Sequence, residues 1–154
     1  MTEREQPGFR IRRAGRRDAG RLAVLVAELA ATRTESPRPL SQARLARELA
    51  RPERLVLIAT DRGTVLGLVG LHILRALAHN GRPWALLEDL MVAGNLRGQG
   101  VAQALLAEAK RRTCRLGCYK IALSSRSSRR AAHAVYRKAG FERFGHGFRL
   151  LLDG

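Results

Sequence analysis

Hydrophobic positions in the first half of the chain include two strand-like runs separated by a turn signal. Residues 55–59 form an unbroken apolar run, and residues 64–74 form a second run after the turn at 61–63. Two such runs joined by a short turn that contains glycine predict an antiparallel hairpin. Gly67 and Gly70 interrupt the second run and indicate a bulge or a close backbone approach there.

Helical spacing precedes this hairpin. After a predicted strand at 9–13, Asp18 is the predicted cap of a helix that reaches about Thr32. The apolar residues of that helix recur on one face, at Leu22, Leu25, Val26 and Leu29. A loop with two prolines covers 34–40, and Ser41 is the predicted cap of a second helix through Ala50.

The middle of the chain predicts a strand, a glycine-rich turn and a helix in succession. An apolar run from Trp84 to Val92 follows a turn at 76–83 and leads to the turn at 97–100. The next helix, which Gly117 ends, has an apolar face made of Val101, Leu105, Ala109 and Leu116. Glycines at the mouth of a helix let the backbone approach a ligand, and the unpaired N–H groups of the first turn favour phosphate. An ordinary strand-to-helix connection explains the same glycines, so this turn alone leaves both interpretations open.

The last part of the chain predicts three further elements. Residues 119–123 form a strand that should run parallel to the preceding one, and residues 131–139 form a short helix stopped by Gly140. Residues 143–152 form a terminal strand region, loosened in its middle by Gly145 and Gly147.

Three motifs follow one another in the second half of the chain: Arg-Gly-Gln-Gly-Val-Ala at 97–102, the run at 117–123 and Val-Tyr-Arg-Lys-Ala-Gly-Phe at 135–141. In this order they resemble the GCN5-related N-acetyltransferase (GNAT) superfamily. The first resembles its coenzyme-binding loop, and the third is similar to its Tyr-x-x-x-Gly-Phe helix end. The second resembles its fifth strand, closely so in glucosamine-phosphate acetyltransferases. The first half of the chain matches by pattern only.

The length of 154 residues predicts a single domain over 1–154, with residues 1–8 expected to be disordered. The resemblance implies an α/β fold. A mixed, mostly antiparallel sheet would be flanked by helices, and the strand at 84–92 would separate from its parallel neighbour from Leu87 onward. That splayed pair would form a cleft for acetyl-coenzyme A, the implied co-substrate. The implied coenzyme-binding residues are Leu90, Met91, Val92, Arg97, Gly98, Gln99, Gly100, Val101 and Ala102. Ser128 or Arg129 would replace an Asn that many members of the superfamily use.

Two residues are candidates for acid–base chemistry. Glu88 and Asp89 lie next to each other in the apolar strand, so their side chains should point to opposite faces and only one should face the cleft. An acid in such a strand is costly unless it is paired or hydrated, and the resemblance favours Glu88 as the general base. The alternative is that the two acids pair with nearby arginines. Backbone N–H groups of Met91 and Val92 would hold the thioester carbonyl.

Tyr136 is the second candidate, as the acid that protonates the departing thiolate. A packing role for its ring is the alternative. His133 and His146 resemble the arrangement in aminoalkylphosphonate acetyltransferases, although a paired or exposed histidine is the preferred interpretation of each. His72 lies on an alternating strand and faces either the acceptor or the core.

The net charge of +16 suggests a second class of function. Clustered arginines attract phosphates, so a non-catalytic nucleic-acid- or ribosome-binding module is the alternative to an enzyme. The low aromatic content argues against a stacking surface for single-stranded nucleic acid. The basic cluster at 110–115 is typical of a solvated helix face, although a basic segment also suits a phosphate-bearing coenzyme.

The remaining expectations concern surroundings and partners. The chain shows no leader or membrane-spanning pattern, which favours a cytoplasmic protein. Cys114 and Cys118 are expected to be thiols, and no metal site is expected. The resemblance implies a small primary amine as acceptor, for example an amino sugar phosphate or aminophosphonate, with a peptide or protein N-terminus as the alternative. Dimers are common in the superfamily, which suggests a homodimer with the terminal strand as a contact, although the sequence itself leaves the oligomeric state open.

Overall fold

Strands make one five-stranded sheet in the computed structural model, which describes residues 8–30, 40–150 and 152. The strands are β1 (Arg10–Arg13), β2 (Arg54–Asp61), β3 (Thr64–Arg75), β4 (Pro83–Val92) and β5 (Ile121–Leu123). The helices are α1 (Ala19–Ala30), α2 (Gln42–Leu49), α3 (Val101–Arg115) and α4 (Arg130–Lys138). The expectations for residues 1–7, for the loop at 34–39 and for the first helix beyond Ala30 lie outside the described residues.

The order of the sheet is β1-β2-β3-β4-β5. Neighbours pair antiparallel except β4 and β5, which are parallel. The turn between β2 and β3 has left-handed backbone at Arg62 and Gly63, which suits the twist of a tight hairpin. These pairings confirm the mixed, mostly antiparallel sheet.

Helices cover both faces of this sheet. One apolar cluster contains Leu57 and Val69 together with Leu105 of α3 and Tyr136 of α4. The other contains Ile58 with residues of α1 and α2. Successive strand residues point to opposite faces, so a strand buried on both sides has no polar alternation. This explains the unbroken apolar run at 55–59.

Gly67 is where β3 meets its neighbours most closely. A Cβ atom at Gly67 would lie 2.7 Å from the carbonyl oxygen of Met91 and 3.3 Å from side-chain atoms of Val101 and Leu105. The pairing register shifts beside Gly70 and opposite Gly67. The predicted bulge and close packing are both confirmed, and α3 is thereby held directly over β3 and β4.

Asp18 does not cap α1, contrary to the prediction. It ends a 3-10 turn at Arg16–Asp18, and α1 follows directly. Its carboxylate accepts a hydrogen bond of 2.9 Å from the Gly15 N–H and pairs with Arg12 at 2.7 Å. The strong pull of the Arg12 guanidinium explains why this carboxylate faces β1 instead of the first turn of α1. Ser41, in contrast, accepts from the Arg44 N–H and caps α2 as predicted.

The predicted terminal strand is absent from the described residues 142–150 and 152. The large apolar side chains of this segment are 84–97% exposed, at Phe144, Phe148, Leu150 and Leu152. Leu116 is also misassigned, because α3 ends at Arg115 and the chain turns away through Gly117, which leaves Leu116 52% exposed. Across the described ranges, no helix combines the length and apolar character needed to cross a bilayer.

Candidate active site

A gap opens between β4 and β5. The two strands pair only from Ala85 with Ile121 to Leu87 with Leu123. β4 continues to Val92 along β3 on its other side. Five residues at about 3.3 Å each leave roughly 16 Å of β4 without a strand partner on the β5 side. The separation predicted from Leu87 onward is therefore confirmed.

Backbone groups of β4 alternate between this gap and β3. The Ala93 N–H donates to the Leu66 carbonyl at 2.9 Å, so residue 93 points towards β3. In an antiparallel pair the direction reverses at each residue. The backbone N–H of Met91 therefore also points towards β3, whereas the N–H groups of Leu90 and Val92 point to the gap. Of the two expected donors, Val92 is available and Met91 is not.

The loop before α3 leaves its backbone accessible. Gly98 and Gly100 have φ of 80° and 81°, a left-handed conformation that favours glycine, and a Cβ at either position would meet nothing within 4 Å. Gly100 is the N-cap of α3 and has no side chain to cap it. The first helical donor is the Ala104 N–H, which bonds the Gly100 carbonyl, so the N–H groups at 101–103 have no partner within the helix.

The side chains of this loop have separate roles. Arg97 is exposed and makes no ion pair with a described residue. The Gln99 amide donates to the Asn95 carbonyl at 3.2 Å and so stabilises the loop itself. Val101 is buried in the core, which leaves only its backbone facing outward, and Ala102 is half-buried.

Helix α4 lies beside the start of α3. The Gln103 amide donates to the Val135 carbonyl at 2.8 Å, which links the two helices. Ser128 and Arg129 are exposed just before α4, with Arg129 as its N-cap.

Glu88 and Asp89 lie on the same face of the sheet, which corrects the expectation of opposite faces. Leu87 pairs with Leu71 and Asp89 pairs with Gly70, so Glu88 is an extra residue in β4. This β-bulge resets the alternation by one position. Glu88 contacts His72 and Asp89 contacts Arg54, and these two partners are themselves opposite each other in β2 and β3.

An ion-pair network surrounds these acids. Arg54 pairs with Glu48 of α2 at 3.0 Å and with Asp89 at 3.6 Å. Burial would raise the pKa of Glu48, but its hydrogen bond from Arg54 and the charges of Arg51, Arg54 and Arg44 together lower it. The His72 Nε2 and Glu88 Oε2 atoms are 3.0 Å apart. Arg54 and Glu48 were not predicted as site residues, because the sequence around each of them does not indicate a contact with β4 or its partners.

Tyr136 lies with its ring in the core and 8% of its surface exposed. The ring meets Phe141 edge-on at a centroid distance of 6.0 Å. The hydroxyl has no hydrogen-bond partner among the described residues. Every fully buried polar side-chain atom of these residues does have a partner, so the hydroxyl is not fully buried. The hydroxyl therefore reaches the surface, so the ring's packing role and an acid role are compatible.

The other histidines and the cysteines lie outside this arrangement. His133 Nε2 is 3.2 Å from the Ser125 hydroxyl, and His146 is exposed in the C-terminal segment. Cys114 and Cys118 are free thiols, and burial raises the pKa of Cys118.

The basic surfaces do not coincide with the gap. On α3, Lys110 and Arg115 are exposed near the C-terminal end, which confirms a solvated face. The carboxylate of Glu108 is paired with Arg111 and Arg112. A separate polar cavity of about 740 Å³ lies at the β1 edge and is lined mainly by arginines: Arg12, Arg13, Arg16, Arg17 and Arg21, with Gly15 and Asp18.

Comparisons with known proteins agree with this geometry. The model of the Acetyltransferase (GNAT) family matches residues 23–141. A proposed acetyltransferase from Agrobacterium tumefaciens str. C58 is 27% identical, with a TM-score of 0.82 over 93% of this chain and 99% of that one. An acetyltransferase from Trypanosoma brucei is also 27% identical, with a TM-score of 0.77 over 94% and 99%. No curated protein matches the sequence significantly.

An aminoglycoside acetyltransferase from an uncultured soil metagenomic sample, in complex with sisomicin, is 17% identical. Its TM-score is 0.82 over 95% of this chain and 97% of that one, which at this identity shows a common fold alone.

The family model covers most of the chain, and the sheet, the gap and the loop before α3 agree with it. The chain therefore belongs to the acetyltransferase (GNAT) family and is an N-acetyltransferase-type enzyme.

Proposed function

We propose that this enzyme transfers the acetyl group of acetyl-coenzyme A directly to a primary amine of a small molecule. The observation that carries the proposal is the loss of β4–β5 pairing beyond Leu87 and Leu123. A gap of this kind admits an extended chain, such as a pantetheine arm, and exposes backbone donors along one wall.

The loop at 97–100 supports acetyl-coenzyme A as the co-substrate. Unpaired N–H groups at the start of α3 attract anions, and the two left-handed glycines allow a pyrophosphate close to the backbone. Arg97, which makes no ion pair with a described residue, adds a positive charge at the same place. We assign this role to Arg97, Gly98, Gln99, Gly100, Val101 and Ala102, with Ser128 and Arg129 at the neighbouring end of α4.

Glu88 is the proposed general base. Its side chain is 50% exposed, so an acceptor can reach it. Glu88 takes a proton from the ammonium group, directly or through water, and the neutral amine then attacks the thioester carbonyl carbon. The N–H groups of Leu90 and Val92 donate to the oxygen on which negative charge develops.

Tyr136 is the proposed acid for the second half of the reaction. As the C–S bond breaks, its hydroxyl gives a proton to the sulfur, and the phenolate recovers a proton released from the acetylated nitrogen. The products are an N-acetyl amine and coenzyme A, with one proton released overall.

Two further features of the enzyme are part of the proposal. We place it in the cytoplasm, where reducing conditions keep Cys114 and Cys118 as thiols. We also propose a homodimer, supported by the exposed apolar side chains of the C-terminal segment and by the outer edge of β5, which pairs with no described strand.

Calorimetric titration tests the co-substrate. We expect acetyl-coenzyme A to bind, and an RNA oligomer at near-physiological salt to bind weakly or not at all. RNA binding without coenzyme binding would contradict the proposal.

A panel of amines, read out by thiol release, tests the acceptor. The panel contains amino sugar phosphates, aminophosphonates, an aminoglycoside and peptides. Turnover confined to peptides would move the acceptor to a protein N-terminus.

A further inference from the structure

His72 of β3 is the nearest described partner of the proposed base. Its Nε2 atom is 3.0 Å from Glu88 Oε2, a hydrogen-bonding distance, and its side chain is 27% exposed. When the Glu88 carboxylate is ionised it can only accept hydrogen bonds, so in that state the Nε2 N–H of His72 is the donor. This hydrogen bond holds one carboxylate oxygen and leaves Oε1 free for a substrate proton.

Strand geometry brings Glu88 within reach of His72. His72 pairs with Leu86, and Glu88 lies two residues further along β4, so the alternation of a strand places both side chains on the same face. At Glu88 the ladder is interrupted, because this residue has no partner in β3. A half-exposed acid outside the ladder needs a side-chain partner to hold it in a productive orientation.

Arg54, a cation on this face, is already engaged. It lies directly opposite His72 in the register, and its guanidinium pairs with Glu48 and Asp89. Arg51 pairs with Glu48 and Glu53 at the edge of the same cluster. Both arginines therefore have carboxylate partners other than Glu88, and among the described residues His72 is the side chain in contact with the Glu88 carboxylate.

We propose that His72 is a positioning residue for catalysis, which orients the Glu88 carboxylate towards the acceptor amine. This inference rests on the proposed function. It predicts that removing the donor lowers turnover without affecting acetyl-coenzyme A binding, and that any side chain able to donate from a similar place restores turnover.

Two variants at position 72 separate orientation from packing. His72→Leu keeps an apolar body of similar size but has no donor, whereas His72→Gln retains an N–H. We expect kcat to fall about 10- to 100-fold in His72→Leu, the range for loss of a hydrogen bond to a charged group. In His72→Gln, kcat should stay within about threefold of the wild type. The KM for acetyl-coenzyme A and the melting temperature should change little in both.

A double-mutant cycle tests whether His72 acts through Glu88. We expect His72→Leu to cause no further loss of kcat in a Glu88→Gln background, because the base it orients is already absent. Wild-type kcat in His72→Leu, equal losses in the Leu and Gln variants, or additive losses in the double variant would each overturn the inference. If the wild type transfers acetyl to no amine or peptide, the proposed function itself fails, and His72 loses its role with it.

Discussion

Among single residues, the ring and the hydroxyl of Tyr136 have different surroundings. Its ring fills part of the core below α3 while its hydroxyl reaches the surface. Substitutions that separate the ring from the hydroxyl can therefore measure each role on its own.

Tyr136→Phe removes the hydroxyl and keeps the ring. We expect kcat to fall by about 100-fold, the low end for general acid catalysis, because solvent can also protonate a thiolate. The melting temperature and coenzyme affinity should hardly change. Tyr136→Ala should instead destabilise the fold by about 3–5 kcal/mol through the cavity it leaves. Normal turnover in the Phe variant at saturating substrates, across the working pH range, would remove Tyr136 from the mechanism.

Asp18 gives a pH-dependent prediction. The hydrogen bond from Arg12, aided by the Gly15 N–H and by the charges of Arg12 and Arg21, outweighs burial and holds the pKa of Asp18 below its ordinary value of 3.8. A carboxyl whose pKa is lowered by folding stabilises the fold above that ordinary value, and the effect disappears as pH falls through the lowered pKa.

Asp18→Asn should therefore lower the free energy of unfolding by about 1–3 kcal/mol at pH 7. The difference from the wild type should shrink as pH falls below 3.8. Urea unfolding at a series of pH values measures both effects. Asp61→Asn, which removes an exposed carboxylate at the end of β2, is the control and should change little. A difference that is the same at every pH would assign the loss to packing.

Among the elements, α3 both packs in the core and presents its first turn beside the gap. Its buried face joins the core through Val101 and Leu105, while its first turn is left uncapped beside the gap. Both ends of the helix are bounded by a glycine with left-handed backbone and open space around it, Gly100 and Gly117. This symmetry supplies a matched pair of substitutions.

Gly100→Asp should weaken acetyl-coenzyme A binding more than tenfold. Two like charges about 4 Å apart near a surface repel by about 4 kcal/mol, and each 1.4 kcal/mol is a factor of ten. Gly117→Asp adds the same charge and a similar backbone strain about 22 Å away, at the other end of the 15-residue helix. Calorimetry should find normal affinity in this control. Equal dissociation constants in both variants would show that the loop does not hold the pyrophosphate.

At the scale of the whole molecule, the C-terminal segment is the feature that the rest of the fold does not explain. Positions 144, 148, 150 and 152 share one face of any extended strand, because strand side chains alternate with a period of two. All four are apolar and exposed, and β5 is an edge strand. Two copies related by a twofold axis could cover both features at once.

Sedimentation velocity tests this assembly. We expect the wild type to sediment with twice the chain mass of 17.0 kDa. Phe148→Asp places a charge on the exposed apolar face and should yield monomers that keep the wild-type circular dichroism spectrum. A wild type that stays monomeric at all accessible concentrations would contradict the dimer.

Local sequence patterns were sufficient to predict most of the helices and strands and the position of the glycine-rich loop before α3. The runs at 55–59 and 84–92, the hairpin turn at 61–63 and the Ser41 cap all act through residues close in the chain, so their local pattern is sufficient. Glycines with left-handed backbone likewise appear where the loop requires them. Leu116 and the segment at 143–152 have the same local patterns but no core to face, which is why they were assigned wrongly.

The groups that surround the candidate base come together through contacts between distant parts of the chain. One extra residue in β4 moved Glu88 and Asp89 to the same face, and the strand pairing turned the Met91 N–H away from the gap. Arg54, His72 and Glu48 reached these acids from other strands and from α2. Such contacts depend on the register between segments far apart in the chain. A local pattern carries no information about that register, because a shift of one residue changes the face of every side chain beyond it.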